Sequence, residues 1–287
     1  SRTNETTTQV GVESHYMGTE LRDDYRYEYD ELGNMTEALQ AGEQACDYEY
    51  DSVGELTRVD DKHAGKTTLY TYDKDGNILK RTEYPYKNLT SATKVVNYTY
   101  GDGGWKDLLT GYNGKTITYD GIGNPIQTTH GEKYWWTGRQ LDKMMTDVGR
   151  ELAFKYSEDG IRTEKRDSRG EIHEYLLEGS RILRERIVDD ETGSVLHTLW
   201  YDYDGNGGLT SVEYDGEKYL YKRNMQGDIL GLYNGSKEQV VSYWYDAWGK
   251  LLGVKDKTGK EITDKESIGL RNPFRYRGYY YDSESYL

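Results

Sequence analysis

The chain has 287 residues and a formal charge of −14, with 51 acidic against 37 basic side chains. That acid excess argues against a nucleic-acid surface, because phosphate contacts draw on Lys and Arg. One cysteine, Cys46, rules out an internal disulfide, and His15, His63, His130, His173 and His197 are scattered without zinc-type spacing.

Length alone allows one or two domains with a sizeable core. Thirty Tyr stand against two Phe, which suits half-wet faces where a ring is buried and its hydroxyl still finds a partner. With 33 Gly and three Pro, turns are built on glycine. No basic-then-apolar leader opens the chain, and no apolar run approaches the roughly 18 residues of a membrane span. Ser1 is not an initiator Met and the last residues stop within a pattern, so the sequence reads as a piece of a longer protein. Cys46 reads as a small residue at a strand start.

Residues 1–24 are polar and Thr-rich and read as the end of a preceding repeat or a linker. From residue 25 a figure recurs: aromatic, spacer, aromatic, Asp, two variable residues, Gly. Its copies include Tyr29-Asp30 with Gly33, Tyr50-Asp51 with Gly54 and Tyr72-Asp73 with Gly76. Others are Tyr119-Asp120 with Gly123 and Tyr245-Asp246 with Gly249. Aromatics two apart share one face of a strand. Asp at the first turn position and Gly at the fourth suit a type I turn with a positive-φ exit. A return strand follows, as at Ile78-Leu79-Lys80.

The position before the Asp falls in order at Tyr29, Tyr50, Tyr72, Tyr100, Tyr119, Trp136, Tyr156, Tyr175, Tyr203, Arg223, Tyr245 and Tyr281. Most steps are about 20 residues, which marks a repeat architecture. The expected fold is all-β: antiparallel hairpins in series, forming a long curved or spiralling sheet and a partial shell. The repeat array covers residues 25–220. Insertions are expected at Thr82–Asn97, at Val188–Leu199 with a hairpin tip at Asp189–Gly193, and in a solvated loop at Lys255–Gly269. The best helix candidate is Asp142–Val148. At Arg223-Asn224 the aromatic becomes Arg and the Asp becomes Asn, which makes the same side-chain-to-backbone turn bond.

Several residues invite chemistry. Asp202, Asp204 and Asn206, followed by Glu213, fit the spacing of a calcium loop, although no flanking helices are evident and the acids also serve a repeat turn. Calcium is the single cofactor candidate, and no catalytic motif is present. Trp135, Trp136, Trp200, Trp244 and Trp248 are expected to pack across strands, with sugar or peptide stacking as the rival reading. Arg271, Arg275 and Arg277 are expected to pair with acids across strands.

The repeated Tyr-Asp figure resembles the YD repeat of Rhs-family proteins. Tyr221 to Tyr233, Tyr245 to Leu251 and Asn272 to Glu284 resemble the opening blocks of the Rhs-repeat-associated core region. Residues 221–287 thus read as the truncated start of that core. The resemblance covers roughly residues 20–287, with a flavour of wall-associated and polymorphic-toxin proteins of Gram-positive bacteria.

It implies a β-sheet spiralling into a hollow shell, as in bacterial toxin-complex shells and teneurins. The shell would enclose or present a C-terminal toxin of the same secreted or cell-surface bacterial protein. Many members release the toxin by self-cleavage just after the core. Here the sequence departs after Ser285, so neither self-cleavage nor toxin activity carries over. The expected function is a non-catalytic shell segment with that toxin domain as its partner. The alternative is a cell-surface module that binds glycan or protein through its aromatic-rich sheet.

Overall fold

The computed structural model describes residues 2–4, 7–9, 11–17, 20–40, 43–101, 104–224, 226–246 and 249–283. Strand is the dominant structure among these residues, and every strand pairing described is antiparallel. Helical structure among them is limited to Ile268–Arg271 and a single turn at Tyr276–Gly278. The chain divides into two compact units. The first comprises Ser1–Gly114, Asn224–Gln226 and Tyr243–Gly253; the second comprises Lys115–Arg223, Gly227–Ser242 and Val254–Leu287.

In the first unit, strands from Val12–Met17 to Leu109–Tyr112 each bond to their neighbour in sequence. In the second, the same meander runs from Thr118–Tyr119 through Arg162–Asp167, Glu171–Glu178, Arg181–Asp189, Val195–Tyr203 and Leu209–Tyr214 to Ile229–Tyr233. This order follows from the turns. A tight hairpin closes the shortest loop available, so each strand meets its sequence neighbour first.

Side chains alternate between faces as a pleated strand requires. In Val195–Tyr203, Leu199 and Tyr201 are buried whereas the intervening Trp200 is 43% exposed. In the second unit, Met144, Leu152 and Phe154 form one core cluster, with Tyr134, Leu141 and Tyr156 packed against it. The first unit buries Val59, Tyr70 and Val96 beside Thr67 and Thr68.

Two expectations fail. Asp142–Val148 is not a helix: Gln140–Met145 is a strand, and Thr146–Gly149 is a turn closed by the Gly149 N–H on the Thr146 carbonyl. Pairing of Lys143 with Ala153 and Met144 with Leu152 buries Met144 completely, and that packing overrides local propensity. Cys46 lies inside strand Glu43–Tyr50 rather than at its start, and burial followed by the charge of Asp61 pushes its thiol up to about 12. By contrast, Asp189–Gly193 is the tip of a hairpin between Arg181–Asp189 and Val195–Tyr203.

Candidate functional site: repeat turns and a buried polar network

The repeat turn has one geometry. At Asp73 the N–H donates to the Asn77 carbonyl (2.9 Å) and the Asp73 carbonyl accepts from Gly76 (3.3 Å). Oδ1 of Asp73 accepts from the N–H groups of Asp75 and Asn77, at 2.9 Å each. Asp30, Asp51, Asp120 and Asp246 close their loops in the same way. Gly33, Gly54, Gly76, Gly123 and Gly249 have φ between 83° and 89°, a region that side chains disfavour. Hydrogen bonds hold Asp30, Asp51 and Asp73 below the ordinary carboxylate range.

Strand register slips at the aromatic before each turn, between Glu28 and Tyr29, Glu49 and Tyr50, Thr71 and Tyr72, and Thr118 and Tyr119. These bulges aim the ring at the previous hairpin. The Tyr50 hydroxyl donates to the Met35 carbonyl (2.9 Å), Tyr72 to Leu56 (2.6 Å), Tyr156 to Leu141 (2.8 Å) and Tyr203 to Ile182 (2.8 Å). Trp136 does the same through its indole N–H, reaching the Pro125 carbonyl at 2.7 Å. The position therefore demands a ring with a donor at its tip, which is the physical reason for Tyr over Phe. Tyr72→Phe is expected to lower unfolding stability by about 1 kcal/mol, measured by urea denaturation. An unchanged midpoint would remove the clasp from the account.

The calcium candidates occupy separate roles. Asp202 accepts from Lys218 Nζ (2.7 Å) and from the Ser211 hydroxyl (2.5 Å). Asp204 holds its turn through Asn206 and Gly208 and accepts from Arg223 (3.3 Å). Asn206 is exposed at the turn, and Glu213 is exposed on Leu209–Tyr214, opposite Trp200. Among the described residues no group of three or more His, Cys, Asp or Glu side chains is placed to hold a metal ion.

The densest chemistry lies in the second unit and is built from charged residues on inward strand positions. Glu185, 2% exposed, accepts from His173 Nδ1 (2.5 Å), Tyr201 (3.0 Å) and Tyr280 (2.8 Å). The Tyr175 and Tyr280 hydroxyls lie 3.0 Å apart. Asp282 accepts from Arg162 Nη1 (2.7 Å) and from Lys165 Nζ (3.0 Å), although Lys165 is 1% exposed. Arg271 grips Glu171 with two bonds (3.0 and 2.9 Å). Phe274 sets its edge against Tyr201, with ring centroids 4.9 Å apart. A cavity of about 40 Å³ lies against Lys165, His173, Glu185 and Asn272, roomy enough for water.

The segment Asn272–Asp282 is thus held on the sheet by polar side chains. Tyr281-Asp282 is not a further repeat turn: Asp282 is 7% exposed and answers two cations more than a hundred residues back. Sequence reading missed this network. The available signal was alternation, which puts Glu185 on the same face as the buried Ile187.

Burial and the Lys165 charge push the His173 imidazole down, but the Glu171 carboxylate 3.7 Å from Nε2 and the hydrogen bond to Glu185 outweigh them and its pKa is raised. Burial pushes Glu185 up, yet the bond from His173 and the charges of His173 and Lys165 leave it lowered. A raised His stabilises below its unfolded value of about 6.5 and loses that stabilisation as pH climbs through the folded value. A lowered Glu stabilises above about 4.3 and loses that as pH falls through its folded value. The pair is therefore most stabilising between those limits. His173→Gln is expected to flatten the alkaline fall in thermal stability between pH 6 and 9. Parallel curves for both proteins would contradict the assignment.

The remaining candidates are mixed. Trp135 and Trp200 are 41% and 43% exposed, each beneath a cation, Lys143 at 4.7 Å and Arg184 at 5.1 Å. Trp136 stacks on Tyr134, Trp244 meets His63 edge-on, and Trp248 lies outside the described residues. Arg271 pairs with Glu171 and Glu266, and Arg277 lies 3.8 Å from Asp228. Arg275 donates to the carbonyls of Gly269, Leu270 and Phe274. No helix among the described residues is long and apolar enough to cross a membrane.

Comparison with known proteins agrees with this geometry. The family model described as "Teneurin YD-shell" matches residues 4–252. The tRNA3(Ser)-specific nuclease WapA of Bacillus spizizenii is 31% identical over 236 residues, which is 80% of this chain and 9% of that protein. The tRNA nuclease WapA of Bacillus subtilis strain 168 is 32% identical over the same shares. The chain thus spans about a tenth of the length of these relatives. Among solved structures, the Photorhabdus luminescens Tc holotoxin pore aligns with a TM-score of 0.70 at 15% identity, covering 93% of this chain and 15% of that one. The TcdB2-TccC3-Cdc42 structure aligns at 0.67 and 16%, covering 92% and 15%. These two share the fold. With a family model matched along most of its length and the Tyr-Asp turns to account for it, the chain belongs to the teneurin YD-shell family of Rhs/YD-repeat proteins.

Proposed function

We propose that this chain is a non-catalytic wall segment of a YD-repeat shell that scaffolds or encloses a C-terminal toxin or effector of the same longer bacterial protein, secreted or at the cell surface. One observation carries the reading. Relatives named as tRNA nucleases match through a repeat segment that is only 9% of their length. In this chain the corresponding segment gives its acidic side chains to turns and ion pairs: Asp30, Asp51, Asp73 and Asp120 close loops, and Glu185 and Asp282 hold the buried network. A wall needs that rigidity and no reacting group.

The test is cleavage of total tRNA by the purified 287-residue chain. The expected result is no cleavage at micromolar protein with or without divalent cations. Cleavage that survives further purification would overturn the reading. A calcium titration in the same series covers Asp202, Asp204, Asn206 and Glu213, for which the proposal expects no heat at millimolar calcium.

A further inference from the structure

The second unit carries a cleft of about 410 Å³ whose charged lining is wholly basic: Arg181, Arg223 and Arg277. In a chain of net charge −14 that is a local reversal of sign. Arg223 is also the copy in which the repeat gives up its aromatic ring. Its guanidinium reaches Asp204 of the preceding turn at 3.3 Å.

Arg181 and Arg223 press on consecutive residues of one turn. A methyl group at Gly207 would collide with the Arg181 guanidinium, and one at Gly208 with that of Arg223. Two like charges so placed repel each other, and Asp204 answers Arg223. Arg181 forms no ion pair among the described residues; it lies 5.7 Å over the Tyr203 ring and is exposed. Arg277 enters from the C-terminal segment with φ of 56°, a conformation that costs a non-glycine residue energy, and its Nε lies 3.8 Å from Asp228. Three cations thus face two carboxylates, neither of which lines the cleft.

We infer that this cleft binds an acidic peptide, one Asp or Glu carboxylate seating among Arg181, Arg223 and Arg277. Guanidinium forks match the two oxygens of a carboxylate. The rest of the lining chooses a peptide over a small free anion. The half-buried Ile182 and Tyr203 and the exposed Tyr279 line the cleft with apolar surface that a bare oxyanion would leave uncovered and a side chain next to the carboxylate would cover. The inference stands apart from the enclosing role, since the cleft's chemistry is the same for cargo or for any other acidic segment.

Calorimetry at low ionic strength tests it, using the whole chain and a set of end-blocked tripeptides. Each has a central aspartate or glutamate flanked by leucine, valine, phenylalanine or tyrosine, and each has an asparagine or glutamine analogue. Acidic members are expected to bind at least about tenfold more tightly than their amide analogues, with affinity falling as salt rises. Arg181→Gln, at an exposed position, is expected to weaken them about tenfold with an unchanged circular dichroism spectrum and melting temperature. Equal binding of the amide analogues, an unchanged R181Q, or no binding of any member at millimolar concentration overturns the inference. So does a preference for inorganic phosphate and acetate equal to that for the peptides, which would mark a small-anion site.

Discussion

Glu185→Ala is expected to lower folding stability by about 3–5 kcal/mol, the range for removing one partner from a buried charged cluster. Glu185 is the acceptor on which His173, Tyr201 and Tyr280 converge. Truncation leaves a buried imidazole and two buried hydroxyls without the acceptor they share. Tyr201 and Tyr280 already have pKa values raised well above normal by burial, so neither can relieve the site by ionising. Glu185→Gln keeps the volume and one acceptor oxygen, and should lose less, about 1.5–3 kcal/mol. Urea denaturation of the three proteins gives the order wild type, Gln, Ala. A loss below about 1 kcal/mol for Ala would mean that solvent reaches Glu185 and that the network is not a buried one.

Asp282→Ala is expected to loosen the C-terminal segment while leaving the hairpin ladder formed. The carboxylate answers Arg162 and Lys165, and the Arg162 guanidinium also lies 5.2 Å over the Tyr280 ring. Without Asp282 the buried Lys165 and the partly buried Arg162 lose the anion between them, at a cost of about 3 kcal/mol. Trypsin reports the loosening. Arg275 is 4% exposed, so cleavage there requires the segment to open. With opening and reclosing fast relative to cleavage, about 3 kcal/mol corresponds to a rate increase on the order of a hundredfold. The urea midpoint of the ladder should move much less than this local rate. Equal cleavage rates at Arg275 in both proteins would show that Tyr280 and Phe274, rather than the ion pairs, hold the segment.

Much of the fold was legible because its signals are local. Tyr72, Asp73 and Gly76 lie within five residues, and the turn they make depends on nothing distant. Repetition of that figure announced the antiparallel meander and the family resemblance. What distant residues decide was not legible. Asp282 carries the same Tyr-Asp spelling as a repeat turn but is claimed by Lys165 and Arg162 from another strand. The helix reading at Asp142 failed for the same reason, since Met144 is placed by Leu152 across the sheet. His173 looked like one scattered histidine until strand pairing with Ile187 set it beside Glu185. The purpose of the aromatic before the turn also lay out of reach of the motif alone, because its acceptor belongs to the previous hairpin, as Leu56 does for Tyr72. Arg223 could be read as an eroded copy, but its place beside Arg181 in a basic cleft needed the fold.

Protease protection in the full-length protein that carries this sequence tests the central claim most directly. The account predicts that the C-terminal effector resists digestion under native conditions, and that Glu185→Ala, by weakening the wall, speeds its loss. Digestion of the effector at the same rate as the isolated effector domain, with the wall intact, would contradict the account.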